Sequence, residues 1–341
     1  MKLKNVMTLA LAAFVCTPLA EAQDAAFKAI VLLPGEKAPQ EVTIASVDGK
    51  GGFQYVKRGT EDRYQMNTSA CGMFFIPTPA PLAEAWSDYR SGDNAAARKG
   101  FAAVKKAYAP YAALPNSPAM QAAMGELCCA VRMQDWKAVK ELSASFPVPM
   151  NMLLPADQVR LKAASIIGGI ADGAKSEAQK KAVTELMKQK GVLKQTDAET
   201  YGWLRYAVAD ACAAEIPADQ LQGTIAADKL KLANEAIDNF CQCVMSSHSA
   251  TRPLPENALN RAIGLMWALP GVKEYAASAP TPMTGPAWAS APANFKDAVA
   301  LANYLKVLYP AQKGSAPNEL ADKLAAFYYN ARQDSSKNKK K

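Results

Sequence analysis

The sequence predicts a mainly α-helical protein with a small antiparallel β unit near its N-terminus. Half of the 341 residues are apolar and alanine is very common, which favours closely packed helices over a sheet-dominated core. From about residue 27 to residue 76 the apolar residues alternate with a period of two, and beyond that stretch they recur at helical spacing. Turn residues then divide the helical part into successive hairpins.

These changes in pattern divide the chain into six predicted segments. They are a signal peptide (1–22), a small β sheet or barrel (23–78), helical hairpins (79–279), a Pro/Ala-rich linker (280–292), a terminal helical hairpin (293–332) and a basic disordered tail (333–341).

The first segment has the features of a secretory signal. Lys2 and Lys4 precede a short apolar stretch at residues 7–15, and Ala20-Glu21-Ala22 matches an A-x-A cleavage site. Val15 precedes Cys16, where a lipoprotein signal needs a small residue, so lipidation is disfavoured. We therefore expect an exported protein, periplasmic or extracellular, and find no second run of about 18 apolar residues that would span a membrane.

In the β unit, four or five strands are expected between residues 27 and 76. Val42, Ile44 and Val47 alternate before the turn cluster at residues 48–52, and Phe53 and Tyr55 alternate after it. About fifty residues form only a small sheet, so one face needs a cover from the first helices.

Three turns organise the helical segment. Gly92-Asp93 precedes Ala97 and Phe101, Gln134-Asp135 precedes Val139, and Gly173 precedes Ala178. A small residue lets two antiparallel helices approach closely, and a larger one a turn later fills the space beyond it. Further on, Thr196-Asp197-Ala198-Glu199 matches a capping box that begins a helix.

The spacing Ala97-x3-Phe101, with Pro110 closing the helix, resembles the end of a tetratricopeptide repeat (TPR). The first helix matches less well, because Glu84-Ala85 stand where Leu-Gly belongs and Tyr89 falls one place late. The turns recur about every 40 residues, so the units are longer than the usual ~34. The resemblance implies a right-handed TPR-like α-solenoid; the alternative is an irregular all-α domain with chance turn spacing.

In the family that the chain resembles, the first helix of each hairpin lines a groove for a protein or peptide. Carried onto this sequence, the predicted groove residues are Leu82, Trp86, Tyr89, Arg90, Met124 and Arg132. Trp, Tyr and Arg often dominate binding energy. The alternative is that Trp86 and Tyr89 pack against the β unit as core residues.

Six cysteines follow the signal, and an exported protein can form disulfides. We expect at least one bridge among Cys71, Cys128, Cys129, Cys212, Cys241 and Cys243. The sequence does not choose among the fifteen possible full connectivities. A metal site is disfavoured, because there is no Cys-x2-Cys pair and His248 is the one histidine.

The net charge and the catalytic motifs that were sought also bear on the predicted function. The formal net charge is +8, and four of the lysines lie in the tail at residues 337–341, which could make a weak contact with an anionic partner. No catalytic motif or cofactor site is found, and nucleic acid is not an expected partner. We expect an exported, non-catalytic scaffold that binds a protein or peptide of the cell envelope; the alternatives are an α-helical glycan-active enzyme and a purely structural envelope component.

Overall fold

A computed structural model describes residues 27–247, 252–310 and 318–329 of the chain. In these ranges, five β-strands come first and fifteen α-helices follow, which confirms the predicted mainly helical fold with a small N-terminal antiparallel sheet. The predicted signal peptide, His248 and the basic tail lie outside the described residues.

The chain divides into two compact units. The first contains the strands and the residues up to Ala85, with Lys99–Ala123 and Pro147–Met152. The second contains Trp86–Arg98, Met124–Phe146 and the chain from Leu153 onward.

The strands form one antiparallel sheet in the order β4-β3-β2-β1-β5. Their bounds are Lys28–Leu32 (β1), Gln40–Val47 (β2), Gly52–Lys57 (β3), Arg63–Asn67 (β4) and Met73–Phe75 (β5). Asp48 fixes the predicted turn between β2 and β3, because its Oδ1 accepts hydrogen bonds from the backbone N–H groups of Lys50 (2.9 Å) and Gly52 (2.7 Å). The last strand returns to pair with β1.

One face of this sheet forms the core of the first unit. Alternating residues such as Val31, Ile44 and Phe53 are buried there, as the period of two requires. Phe27 stacks on Tyr111 with ring centroids 4.0 Å apart. Aromatic residues that follow the second helix therefore cover the sheet within this unit.

The helices are numbered in chain order. They are Ala80–Ser91 (α1), Asn94–Ala107 (α2), Pro118–Arg132 (α3), Trp136–Ala144 (α4), Pro155–Gly168 (α5), Ser176–Lys188 (α6), Val192–Gln195 (α7), Ala198–Ala214 (α8), Ala218–Gln222 (α9), Leu230–Ser246 (α10), Leu254–Ala268 (α11), Val272–Ser278 (α12), Gly285–Ser290 (α13), Ala293–Leu308 (α14) and Glu319–Ala325 (α15). None of those in the described ranges is both long and apolar enough to cross a membrane.

A helix junction lies at each of the three predicted turns. Gly92, Gln134 and Gly173 have φ angles of +89°, +59° and +65°, and a residue in this left-handed region ends the preceding helix. After Gln134, Asp135 caps α4 by accepting a hydrogen bond from the backbone N–H of Ala138 (3.2 Å).

In the second unit, one series of helices packs in chain order, with other helices lying between some of its members in sequence. Contacts join α4 to α5, α5 to α8, α8 to α10, α10 to α11, α11 to α14 and α14 to α15. Helix α8 lies at the middle of this series, and eleven of its residues are buried.

Two local features differ from the sequence expectation. The N-cap of α8 is Asp197, which accepts from Thr200 N (2.7 Å), so the helix starts one residue later than a Thr196 capping box would place it. The predicted linker at 280–292 contains α13, capped by Thr284. Proline in the first turn is compatible with a helix, so a Pro/Ala-rich composition did not exclude one.

A pair of glycine substitutions tests the left-handed turn after α5. Gly173→Ala should lower the free energy of unfolding by about 1–2 kcal/mol, because alanine resists positive φ. Gly264→Ala, inside α11, should raise it by about 0.5–1 kcal/mol. An added Cβ meets no atom within 4 Å at either position, so urea unfolding isolates the backbone effect. If both substitutions stabilise the protein, the left-handed backbone conformation at Gly173 is contradicted.

Candidate functional site

The six predicted groove residues lie in different environments. Most are buried: Leu82, Tyr89, Met124 and Arg132. Trp86 is half-buried and Arg90 is exposed. The residues that the structure leaves accessible to a partner are therefore the neighbouring pair on α1, Trp86 and Arg90.

Tyr89 and Arg132 meet around a carboxylate that the groove prediction did not include, that of Glu199. Tyr89 Oη donates to Glu199 Oε1 at 2.7 Å. Arg132 donates to the same carboxylate from Nε (2.7 Å) and Nη2 (3.1 Å). This two-pronged pairing is the strongest geometry between a guanidinium and a carboxylate.

Arg132 also binds Tyr89 directly. Its Nη1 donates to the backbone carbonyl oxygen of Tyr89 at 2.7 Å, and its Cζ lies 3.4 Å from the centroid of the Tyr89 ring. A cation over an aromatic face is stabilised by the ring quadrupole, more so where water is excluded. The contacts of Arg132 and Tyr89 with Glu199 thus join α1, α3 and α8.

Burial controls the electrostatics of this triad of Tyr89, Arg132 and Glu199. The Arg132 side chain is 3% exposed and that of Glu199 is 20% exposed. Burial acts to lower the pKa of Arg132, but the hydrogen bonds and the charge of Glu199, together with the effects of Tyr89 and Cys128, raise it overall. Burial also raises the pKa of Tyr89 well above its ordinary value, so the phenol keeps the proton that it donates to Glu199.

Arg160, on α5, forms a second ion pair nearby in the same unit. It binds Asp157 at 3.4 Å and Asp197, the N-cap of α8. Burial acts to raise the pKa of Asp197, but the charge of Arg160 and the hydrogen bonds from Thr200 lower it overall. A carboxylate that stays ionised at the start of α8 also complements the helix dipole.

Glu199 belongs to a row of side chains along one side of α8, the α8 stripe: Glu199, Trp203, Tyr206 and Asp210. These residues are spaced four, three and four apart, so they share one side of the helix over about 16 Å. Trp203 is fully buried, and its indole Nε1 has no hydrogen-bond partner within the described ranges.

The far end of the α8 stripe carries a second polar cluster. Tyr206 Oη lies 3.0 Å from Asn257 Oδ1 and 3.5 Å from Gln134 Oε1. Asp210 pairs with Arg261 of α11. Burial raises the pKa of Tyr206 to about 12. The α8 stripe therefore joins α8 to the α3–α4 turn and to α11. Tyr206 makes these contacts as a neutral phenol, and Asp210 makes an ion pair with α11.

The six predicted disulfide cysteines are free thiols in the structure: Cys71, Cys128, Cys129, Cys212, Cys241 and Cys243. Burial raises the pKa of Cys128 and Cys243 to about 12. At neutral pH such thiols are protonated and behave as small apolar residues. The expectation of at least one disulfide stays a prediction that thiol counting can test.

Across the described ranges, no group of three or more His, Cys, Asp or Glu side chains is arranged to hold a metal ion. Comparison of the chain with protein-family models, with curated proteins and with solved structures found no match.

Sequence reasoning missed Glu199 because a local pattern accounted for it. Read as part of a capping box, Glu199 had a role within its own helix. The spacing of Glu199, Trp203, Tyr206 and Asp210 was the available signal, since a row of large and polar side chains on one side of a helix indicates a shared contact surface.

Removal of the Glu199 carboxylate tests the triad. Glu199→Ala should lower the free energy of unfolding by about 3–5 kcal/mol, because it leaves the buried Arg132 charge without its partner. The matched control is Glu185→Ala, which breaks an exposed pair with Lys181 on α6 and should change stability by less than about 1 kcal/mol. Urea unfolding measures both; equal effects would mean that the triad adds nothing beyond a surface pair.

Proposed function

We propose that this protein is an exported, non-catalytic scaffold that binds a protein or peptide segment of the cell envelope. Its helices would form the right-handed, TPR-like stack that the sequence resemblance implies. The supporting features are the helix junctions at the three predicted turns and the packing of α4, α5, α8, α10, α11 and α14 in chain order. Successive packing of this kind is typical of helical-repeat proteins, which bind partners along their helices.

The observation that carries the proposed contact site is the anchoring of Trp86 through Tyr89. The two rings meet edge to face, with centroids 5.5 Å apart and an interplanar angle of 88°. Tyr89 is itself held by Arg132 and Glu199. An anchored indole loses little conformational entropy when a partner binds, which favours affinity.

Arg90 extends this site with charge. It follows Trp86 by four residues on α1 and is exposed, so the two side chains are neighbours on the helix surface. A half-buried indole next to an exposed guanidinium suits a partner segment that presents an apolar side chain beside a carboxylate.

Capture of partners from an envelope extract tests this site. Trp86→Ala and Arg90→Ala should each weaken capture of the same bound protein by about tenfold or more, as measured by titration of the immobilised mature chain. Arg63→Ala, which removes another exposed arginine, from β4, should leave capture unchanged. Undiminished capture by both α1 variants, with melting temperatures near that of the wild type, would rule the site out.

A parallel assay separates the scaffold from the glycan-active alternative. The mature chain is incubated with isolated envelope polysaccharide, and newly formed reducing ends are measured. We expect none above the level of a heat-denatured sample. Sustained release of reducing ends would overturn the non-catalytic proposal.

A further inference from the structure

Helix α14 buries one side and leaves a large apolar surface on the other. Phe295, Ala298, Val299, Ala302 and Leu305 form its buried side. On the opposite side, Tyr304 is 57% exposed, Val307 67% and Leu308 48%. Three large exposed side chains within five residues form an apolar patch of the kind that marks interaction sites.

The whole outer side of α14 has a regular seam. Ala293, Asp297, Ala300, Tyr304 and Val307 follow one another at intervals of four, three, four and three residues. This alternation is the spacing with which one helix packs along another in a coiled coil. The surface therefore fits a second helix laid along it.

The seam is also self-complementary in size. Its N-terminal half has the small residues Ala293 and Ala300, and its C-terminal half has the large residues Tyr304 and Val307, with Leu308 beside them. If a second α14 runs antiparallel about a two-fold axis between residues 300 and 301, Leu308 faces Ala293 and Leu301 faces Ala300 of the other copy. A two-fold interface needs such a surface, because it must complement itself.

The same axis pairs the polar atoms of the seam. Position 297 then faces position 304 of the other copy, since both lie equally far from the axis. The exposed Asp297 carboxylate can accept a hydrogen bond from the Tyr304 hydroxyl, and symmetry forms this bond twice. Hydrogen bonds to charged acceptors are the stronger class, and they would fix the register of the two helices.

We propose that the outer side of α14 is a docking site for a second copy of this chain, with two α14 helices packed antiparallel. The helix is about 24 Å long, so one helix pair forms a small interface. Interfaces of that size belong to weak or transient complexes, and the dimer should therefore dissociate on dilution.

Sedimentation equilibrium of the full mature chain over a range of concentrations tests the dimer. The wild type should shift from monomer to dimer as concentration rises. Leu308→Glu should weaken the dimer by tenfold or more, because each copy then places a buried charge against Ala293 of the other. The matched control, Leu193→Glu on α7, changes a leucine that is 69% exposed and should leave the dimer unchanged. A wild type that is monomeric throughout, or a Leu308→Glu protein that still dimerises fully, would overturn the proposal.

The Asp297–Tyr304 contact has its own test. Asp297→Ala and Tyr304→Phe should each weaken the dimer, and the double variant should weaken it no more than either single change, because both remove one hydrogen bond. Fully additive losses would contradict the pairing. Circular dichroism of each variant checks that the fold is kept.

Cross-linking decides the orientation of the two helices. Leu301→Cys lies beside the proposed axis and should link to its own copy through a short bismaleimide. In the antiparallel pair, Ala293→Cys lies about 22 Å along the helix axis from its counterpart. Its cross-linking should therefore stay at the wild-type background. Efficient linkage through Cys at position 293 would mean parallel helices and would overturn the proposed register.

Discussion

Burial of the Arg132 guanidinium is the constraint on which the second unit depends. A buried charge costs several kcal/mol unless a partner of good geometry compensates it. Glu199 supplies that partner from α8, the backbone carbonyl oxygen of Tyr89 on α1 accepts a hydrogen bond from Nη1, and the Tyr89 ring lies against the guanidinium. Because each contact depends on position to within a fraction of an ångström, the parts of α1 and α3 that belong to this unit are fixed relative to the start of α8.

This constraint connects the interior to the proposed contact site. Tyr89 cannot rotate without losing its bond to Glu199, and Trp86 packs on the edge of Tyr89. A polar cluster inside the unit therefore determines how an indole is presented on α1. Buried ion pairs contribute less to stability than their geometry suggests, and positioning is a role they perform well. Tyr89 and Arg132, predicted as contact residues, support the proposed contact site of Trp86 and Arg90.

Local features of the fold could be predicted from the sequence, and long-range ones could not. The turns at Gly92, Gln134 and Gly173 were predictable because positive φ and short polar side chains act within a few residues. The partner of Arg132 was not, because Glu199 is 67 residues away along the chain and only the packing of α3 against its neighbours brings it near. The return of β5 to β1 depends equally on topology. Leu82 and Met124 are buried, where the assumed groove gave the opposite expectation.

A double-mutant cycle between Arg132 and Glu199 tests this account most directly. Arg132→Met, Glu199→Met and the double variant are unfolded in urea, and the coupling free energy is taken from the three changes. Each single variant leaves one unpaired charge inside the unit, whereas the double variant leaves none. The account predicts a double variant no less stable than the Glu199→Met protein, with a coupling of about 2 kcal/mol or more. Additive changes, with a coupling below about 0.5 kcal/mol, would show that the buried pair does not hold these helices together.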